Sequence, residues 1–305
     1  MWFKNLSLYR LSSPFTLTMD ELGEKLAEKV FHPAGKHDLS SVGWSEPLGR
    51  NGQELFHSAN GFIMLCLRTE QKILPAAAVK ELVDVRAEEI EEKEARKVRG
   101  KERAALKEQV LMEMVPRAFS KSSRTFAYID PKEGWLIVDA ASDKKAEELI
   151  GLLRKSLGSF PAARINMINA PSAIMTQWLE REELPDYLEL NDECELRDSL
   201  EDGGIVKIRK QSLLSEEVKI HLNAGKVVAR LALIFDERIS FVLDENITIK
   251  KVRFLDVIQE EAMDVVTETA AERFDSDFAI MTLELKRFLP VLFTALGGLV
   301  ELSAQ

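Results

Sequence analysis

Lys226–Phe254, KVVARLALIFDERISFVLDENITIKKVRF, decides the fold class. Three runs rich in β-branched and aromatic residues, Lys226–Phe235, Ile239–Leu243 and Ile247–Phe254, are separated by the polar triplets Asp236-Glu-Arg238 and Asp244-Glu-Asn246, which have hairpin-turn chemistry. Strands joined by so few residues pair antiparallel, since a parallel return needs a crossover of about a dozen residues. Upstream, Ile205–Lys210 and Tyr187–Leu190 read as further strands, and downstream long helices close the chain. The apolar run Phe288–Val300 is too short to span a bilayer and contains Pro290, Gly297 and Gly298, so it reads as a buried helix stopped by glycine.

The N-terminal half has the same character. Trp2–Leu11 reads as a strand and Met19–Phe31 as a helix capped by Thr18, with Asp20 and Glu21 in its first turn. His32–Gly52 reads as a loop and Gly61–Leu67, continuously apolar, as a central strand. Ala76–Val98 is a charged helix with a thin apolar stripe (Val79, Leu82, Val83, Ile90). It is broken near Gly100 and followed by a second helix through Leu106, Val110, Leu111 and Met114 to Pro116. So narrow a seam predicts a projecting helical hairpin, acidic in its first half and basic in its second, that partly neutralises itself. Thr125–Ala141 is a strand hairpin, Asp143–Leu157 an amphipathic helix ended by Gly158, and Phe160–Ile168 a connector. The fold class is α+β: antiparallel β-sheets with flanking helices. The expected division is a central body from 1–75 plus 117–165, a helical tip at 76–116 and a C-terminal base at 166–305.

At 305 residues, 46% hydrophobic and 30% charged, the chain has the composition of a globular protein. Two cysteines, Cys66 and Cys194, make neither a disulfide framework nor a thiolate metal site, which points to a reducing, cytoplasmic compartment. Lys4 and Arg10 interrupt the first apolar stretch, so no signal peptide is read and no membrane partner is expected.

Charge is segregated. Lys93–Arg124 carries ten cations against four acids and Ile205–Arg253 ten against six, within a chain of formal net charge −10. The remainder is therefore at −20, a surface that repels polyanions except where the basic segments lie. The strand Gly204–Gln211 places Lys207, Arg209 and Gln211 on one face and Val206, Ile208 and Lys210 on the other. Its cations then stand about 6.5–7 Å apart, near the phosphate step along one DNA strand, although an edge strand kept soluble by lysine has the same pattern. No aromatic interleaving, helix-turn-helix or zinc-finger spacing accompanies them, so binding should be to backbone and indifferent to sequence. Phe119 sits in the polar connector Pro116-Arg-Ala-Phe-Ser-Lys-Ser-Ser-Arg124 and either tucks into the core or anchors a partner subunit.

Catalytic patterns are missing. His32, His37, His57 and His221 are scattered without metal spacing, and Gly35-Lys36 and Gly225-Lys226 lack the rest of a phosphate-binding loop. No GxSxG elbow or dinucleotide fingerprint occurs. Acid pairs such as Asp236/Glu237 and Asp275/Asp277 suit turns and caps and, alternatively, magnesium in a nuclease. The expectation is therefore no enzyme, no catalytic residue, no cofactor and no metal.

Taken together, Trp2-Phe-Lys-Asn-Leu6, Lys72-Ile-Leu-Pro75, Pro116-Arg-Ala-Phe-Ser120, Lys144-Lys-Ala-Glu-Glu148, Leu152-Leu-Arg-Lys-Ser-Leu-Gly158, Leu200-Glu-Asp-Gly-Gly204, Lys210-Gln211, Ala224-Gly-Lys-Val-Val228, Arg273-Phe-Asp-Ser-Asp277 and Ala295-Leu-Gly-Gly298 resemble the RdgC family of recombination-associated proteins. The resemblance runs from end to end. It implies a ring-shaped homodimer with a positively charged hole, binding double-stranded DNA (with single-stranded DNA as a further candidate) without sequence specificity. It also implies a nucleoid-associated protein that restrains RecA-promoted strand exchange by occupying DNA. The family's ring-closing phenylalanine maps onto Phe119, and its Lys-Gln pair at the other contact onto Lys210 and Gln211. Charge segregation nominates as DNA contacts Lys97, Arg99, Lys101, Arg117, Lys121, Arg124, Lys207, Arg209, Lys210, Lys226, Arg230, Lys250 and Lys251. The alternatives are a magnesium-dependent DNA-processing nuclease and a recombinase-binding scaffold that never touches DNA.

Overall fold

The computed structural model describes residues 1–198 and 203–301; most of the Leu200–Gly204 segment lies outside the described residues. Elements of the first half are β1 (Ser7–Leu11), α1 (Met19–Ala27), β2 (Ser40–Trp44), β3 (Phe56–Ala59), β4 (Phe62–Lys72), α2 (Ala76–Glu94), α3 (Gly100–Met114), β5 (Ser120–Asp130) and β6 (Trp135–Val138). There follow α4 (Asp143–Leu157), β7 (Ala162–Arg164), α5 (Pro171–Arg181), β8 (Leu188–Arg197), β9 (Ile205–Arg209) and α6 (Glu216–Asn223). The chain closes with β10 (Val227–Phe235), β11 (Ile239–Asp244), β12 (Ile249–Phe254), α7 (Asp256–Asp264) and α8 (Ala270–Ala295). The class is α+β with two antiparallel sheets.

The chain packs as two compact units: one of Met1–Glu28, Glu46–Cys66 and Thr125–Gln305, the other of Lys29–Ser45 and Leu67–Arg124. In the larger unit, β6 pairs with both β5 and β1, β1 with β7, and β3 with the first half of β4. The continuously apolar reading of β4 holds, with Phe62 through Cys66 all buried. Helix α1 starts in a full capping box, with Thr18 accepting from the Glu21 N–H and the Glu21 carboxylate from Thr18 N. The second sheet of this unit runs β12-β11-β10-β8-β9. The two polar triplets turn the chain between β10, β11 and β12, as the quoted stretch predicts.

One face of this five-stranded sheet presents Leu231, Leu233, Phe235, Phe241, Leu243, Ile249 and Phe254 to a core shared with α5 and α8. Phe288 of α8 lies 5.1 Å from Phe235 and 4.9 Å from Phe241 between ring centroids. Edge and tilted ring pairs of this kind add about 0.5–1.5 kcal/mol each beyond the area they bury. Thr176 of α5 accepts from the Val228 N–H at 2.9 Å, tying that helix to β10. Helix α8 carries Pro290 in its interior and is followed by Gly297 and Gly298 at φ 89° and 95°, the glycine stop expected from sequence.

In the smaller unit, α2 and α3 pack through Val79, Val83, Ala87, Leu106 and Val110. Cross-helix ion pairs join Arg103 of the basic half to Asp84 of the acidic half and, in the opposite sense, Arg86 to Glu113 (2.5 Å). The Arg86 guanidinium holds the Glu113 carboxyl below its usual range. Val42 of β2 pairs with Thr69 of β4, and Gly43 lies against the Val30–Phe31 backbone, where a Cβ would meet Phe31 Cα at 2.5 Å.

Four expectations needed correction. His32–Gly52 contains β2, whose Ser40-Ser-Val-Gly-Trp44 lacks the apolar alternation of a strand and is fixed instead by its pairing with β4. Gly100 opens α3 rather than breaking α2, which ends at Ala95 in a left-handed conformation. The strand begun near Tyr187 runs on to Arg197, and the opening strand starts at Ser7, not Trp2. Helices α5 and α6 and the short strand β7 were not anticipated; α5 is announced by Pro171 at its first turn.

Candidate nucleic-acid interface

The face of the second sheet that turns away from α5 and α8 is where its charge lies. On β9, Lys207 and Arg209 point outward while Ile208 is buried, the alternation expected from the sequence. Registered opposite them on β8 are Glu195 and Glu193. Arg230 of β10 follows, registered with Glu195. Two strands further on, Lys250 and Lys251 of β12 reach the same face. Both do so because β12 bulges: Val242 of β11 pairs with Lys250 and Ser240 with Arg253, leaving one extra residue on β12. Lys251 takes φ 53° there, and Ile249 and Val252 on either side of the lysine pair both turn to the core.

These five cations line a cleft of about 250 Å³ whose remaining wall is Ala141, Glu193, Cys194, Glu195 and Val242. The acids lie between the cations: Glu195 is 3.1 Å from Arg230 and 3.5 Å from Lys207, and Glu193 is 2.5 Å from Lys251 and 3.7 Å from Arg209. Lys250 is held at 2.6 Å by Asp244. Counting that carboxylate, the face carries five cations against three acids, a net of +2. Lys207, Arg209 and Lys251 each keep more than half of their side-chain surface in water. Cys194 lies beneath them, and burial pushes its thiol up to about 12, so the thiolate is not a nucleophile at this cleft.

The other nominated residues of the larger unit lie apart from this cleft. Lys210 and Gln211 are exposed just beyond β9, with Lys210 at φ 56°. Lys226 is turned inward, its ammonium 3.2 Å from the Gly204 carbonyl and 3.5 Å from Asp198, in a local structural contact. In the smaller unit, Lys97, Arg99 and Lys101 are exposed around the turn from α2 to α3 and form no ion pair among the described residues. Arg96 beside them is committed to Glu94 and Glu102. Arg117, Lys121 and Arg124 are exposed along the approach to β5 and its first residues. Phe119 does not enter the core; it is 86% exposed, with its carbonyl accepting from the Ile73 N–H. In the same unit an apolar groove of about 650 Å³ runs between α2 and α3, lined by Leu74, Val79, Val83, Ala104 and Leu111 with Lys80 and Lys107 at its border.

Glu193 and Glu195 were missed as elements of this face because the strand was ended at Leu190. The alternation Glu193-Cys-Glu-Leu196 was legible as a continuation of it. Among the described residues, no group of three or more His, Cys, Asp or Glu side chains is placed to hold a metal ion, and no helix is long and apolar enough to cross a membrane. His57 is used in packing, 3.0 Å from Asp275 and edge-on to Phe274.

Fold and surface together define the class: a two-sheet α+β protein that displays a cation-lined cleft on one sheet and an exposed phenylalanine beside a helical groove. A family model described as "Putative exonuclease, RdgC" matches residues 1–299. Proteins named Recombination-associated protein RdgC from Aeromonas hydrophila, Tolumonas auensis and Yersinia enterocolitica are 45%, 43% and 41% identical over 298 residues, covering 98% of this chain and 98–99% of theirs. The chain belongs to the RdgC family, a family associated with recombination. The two descriptions differ on activity: one names an exonuclease, the others name none.

Proposed function

We propose that the protein is a non-catalytic, sequence-independent DNA-binding homodimer that closes as a ring around duplex DNA and limits recombinase access to it. The observation that carries this reading is the gathering of Lys207, Arg209, Arg230, Lys250 and Lys251, from three different strands, around one cleft. A hole lined by such faces would neutralise backbone phosphates while reading no base, as the lack of any groove-reading element also suggests. Lys97, Arg99, Lys101, Arg117, Lys121 and Arg124 belong to the same proposal as additional lining, and the body, tip and base division describes how each subunit would span the ring.

Closure of a two-fold ring requires two self-complementary contacts. Phe119 and the α2–α3 groove supply a candidate for one: both lie in the smaller unit, so each copy could insert its ring into the groove of the other. Lys210 and Gln211 are assigned to the second. Occupancy of DNA would antagonise RecA and associate the protein with the nucleoid.

Anisotropy titrations on two unrelated duplexes at several salt concentrations test the binding claim. Equal affinities with a steep salt dependence are expected, and salt-independent binding would overturn it. Incubating labelled duplex and single-stranded DNA with protein and magnesium tests the rival named by the family description: nucleotide release abolished by chelator would establish the nuclease instead.

A further inference from the structure

A second cavity of about 210 Å³, which shares no lining residue with the cationic cleft, lies between the first sheet and α8. Its walls are Phe62, Ile137, Leu285, Leu289, Pro290 and Phe293 together with Trp135. Its polar lining is Asp130, Glu133, Tyr128 and Lys286. Asp130, at the end of β5, is 5% exposed. One of its oxygens, Oδ1, takes the Lys132 and Glu133 N–H groups at 3.0 Å, while Oδ2 has no hydrogen-bond partner among the described residues. Tyr128 lines the same cavity at 2% exposure, and its hydroxyl also has no hydrogen-bond partner among the described residues. Burial, and secondarily the Asp130 charge, raises the Tyr128 hydroxyl well above its usual range, so it stays protonated. At the mouth Glu133 is 3.8 Å from the Lys286 ammonium, a loose and partly exposed pair. Asp130 Oδ2 and the Tyr128 hydroxyl therefore keep hydrogen-bonding capacity free at an otherwise apolar wall, a lining that suits a donor-bearing guest.

We propose that this cavity binds an alkylammonium group, with the ammonium donating to Asp130 Oδ2 and Tyr128 Oη, the methylenes packed on Phe62, Leu289 and Phe293, and a second ammonium, where the ligand has one, taking Lys286's place on Glu133. At about 30 Å³ per water, the chamber holds the equivalent of about seven waters, which matches a linear diamine of four or five carbons. A lysine side chain of a partner protein presents the same chemistry. The site stands apart from the proposed DNA face and does not depend on it.

Calorimetric titration of the full-length protein with 1,4-diaminobutane, 1,5-diaminopentane, 1,5-pentanediol and Nα-acetyl-lysine amide tests the assignment. Saturable binding of a diamine, one per chain, is expected, with none of the diol. Saturation by the lysine amide as well would point to a protein side chain as the natural source; saturation by the diamines alone would point to a free amine. Asp130→Asn keeps the Oδ1 acceptor of the turn but removes the charge, and should weaken binding at least about tenfold. Tyr128→Phe should weaken it several-fold, and Glu133→Gln should weaken diamines more than n-butylamine. Circular dichroism of each variant checks that it folds. No saturation at millimolar diamine, equal binding of the diol, or unchanged affinity in a folded Asp130→Asn protein overturns the proposal.

Discussion

Replacing Lys207, Arg209 and Lys251 together by glutamine is the sharpest test of the cationic face. These three project into water, and their partners in the free protein are Glu193 and Glu195. Exposed pairs of this kind are worth only about 0.2–1 kcal/mol, so a phosphate can displace a glutamate from each cation cheaply, and the fold loses little when they are removed. Each neutralised phosphate contributes about −0.9 to the slope of log K against log salt. If all three cations contact phosphates, the wild-type slope should be steeper than the variant's by about 2.7 per subunit engaged. Between 50 and 200 mM salt, a fourfold change, that difference amounts to an extra loss of about 40-fold for the wild type. Anisotropy of a labelled duplex over that range measures it directly. Glu193→Gln with Glu195→Gln should move affinity in the opposite direction, since the competing carboxylates are gone. A triple variant with an unchanged slope would show that the cleft does not meet phosphate, and the proposed interface would fall with it.

In the proposed dimer each two-fold contact would bury two Phe119 rings, so Phe119→Ala should weaken association by about 3–6 kcal/mol or 10²–10⁴-fold, while leaving the thermal midpoint of the isolated subunit nearly unchanged; sedimentation at several concentrations decides, and unaltered association refutes the anchor role. Asp139 accepts from the Lys4 and Asn5 N–H groups, but burial outweighs these bonds and raises its carboxyl above the ordinary range. The folded state therefore holds that proton where the unfolded chain, titrating near 3.9, has lost it, and stability falls as pH rises through the raised value. Asp139→Asn should accordingly gain on the wild type between pH 4 and 7 in urea midpoints, and a constant difference would contradict this. Gly43→Ala should destabilise by about 1–3 kcal/mol or more, because the Cβ would meet the Phe31 backbone; a neutral effect would mean that β2 can shift away.

Local chemistry was legible where one stretch of chain carries its own instruction. The β10–β12 meander, the Thr18 cap and α4 with its Gly158 stop follow from periodicity, turn triplets and capping residues that need no distant partner. Strand β2 was not legible because Ser40–Trp44 has no amphipathic pattern and owes its conformation to β4. The cationic face was half legible. Alternation placed Lys207 and Arg209 on one side of β9, but nothing in the order of residues could say that Lys250, more than forty positions later, would share their cleft. That depends on the three strands that stand between them in the sheet and on a bulge. Lys226 illustrates the converse: its charge counts the same in a composition sum, yet its ammonium is turned onto Gly204 and Asp198.

The backbone at two of these lysines has a consequence of its own. Lys210 and Lys251 both sit at positive φ, 56° and 53°, a region that suits glycine or asparagine and costs a long side chain about 1–2 kcal/mol. Glycine at either site should therefore raise the melting temperature while subtracting a charge from the proposed binding and dimer surfaces. Selection for heat resistance acting at these codons would, under the proposed function, weaken the hold on phosphate as it succeeded.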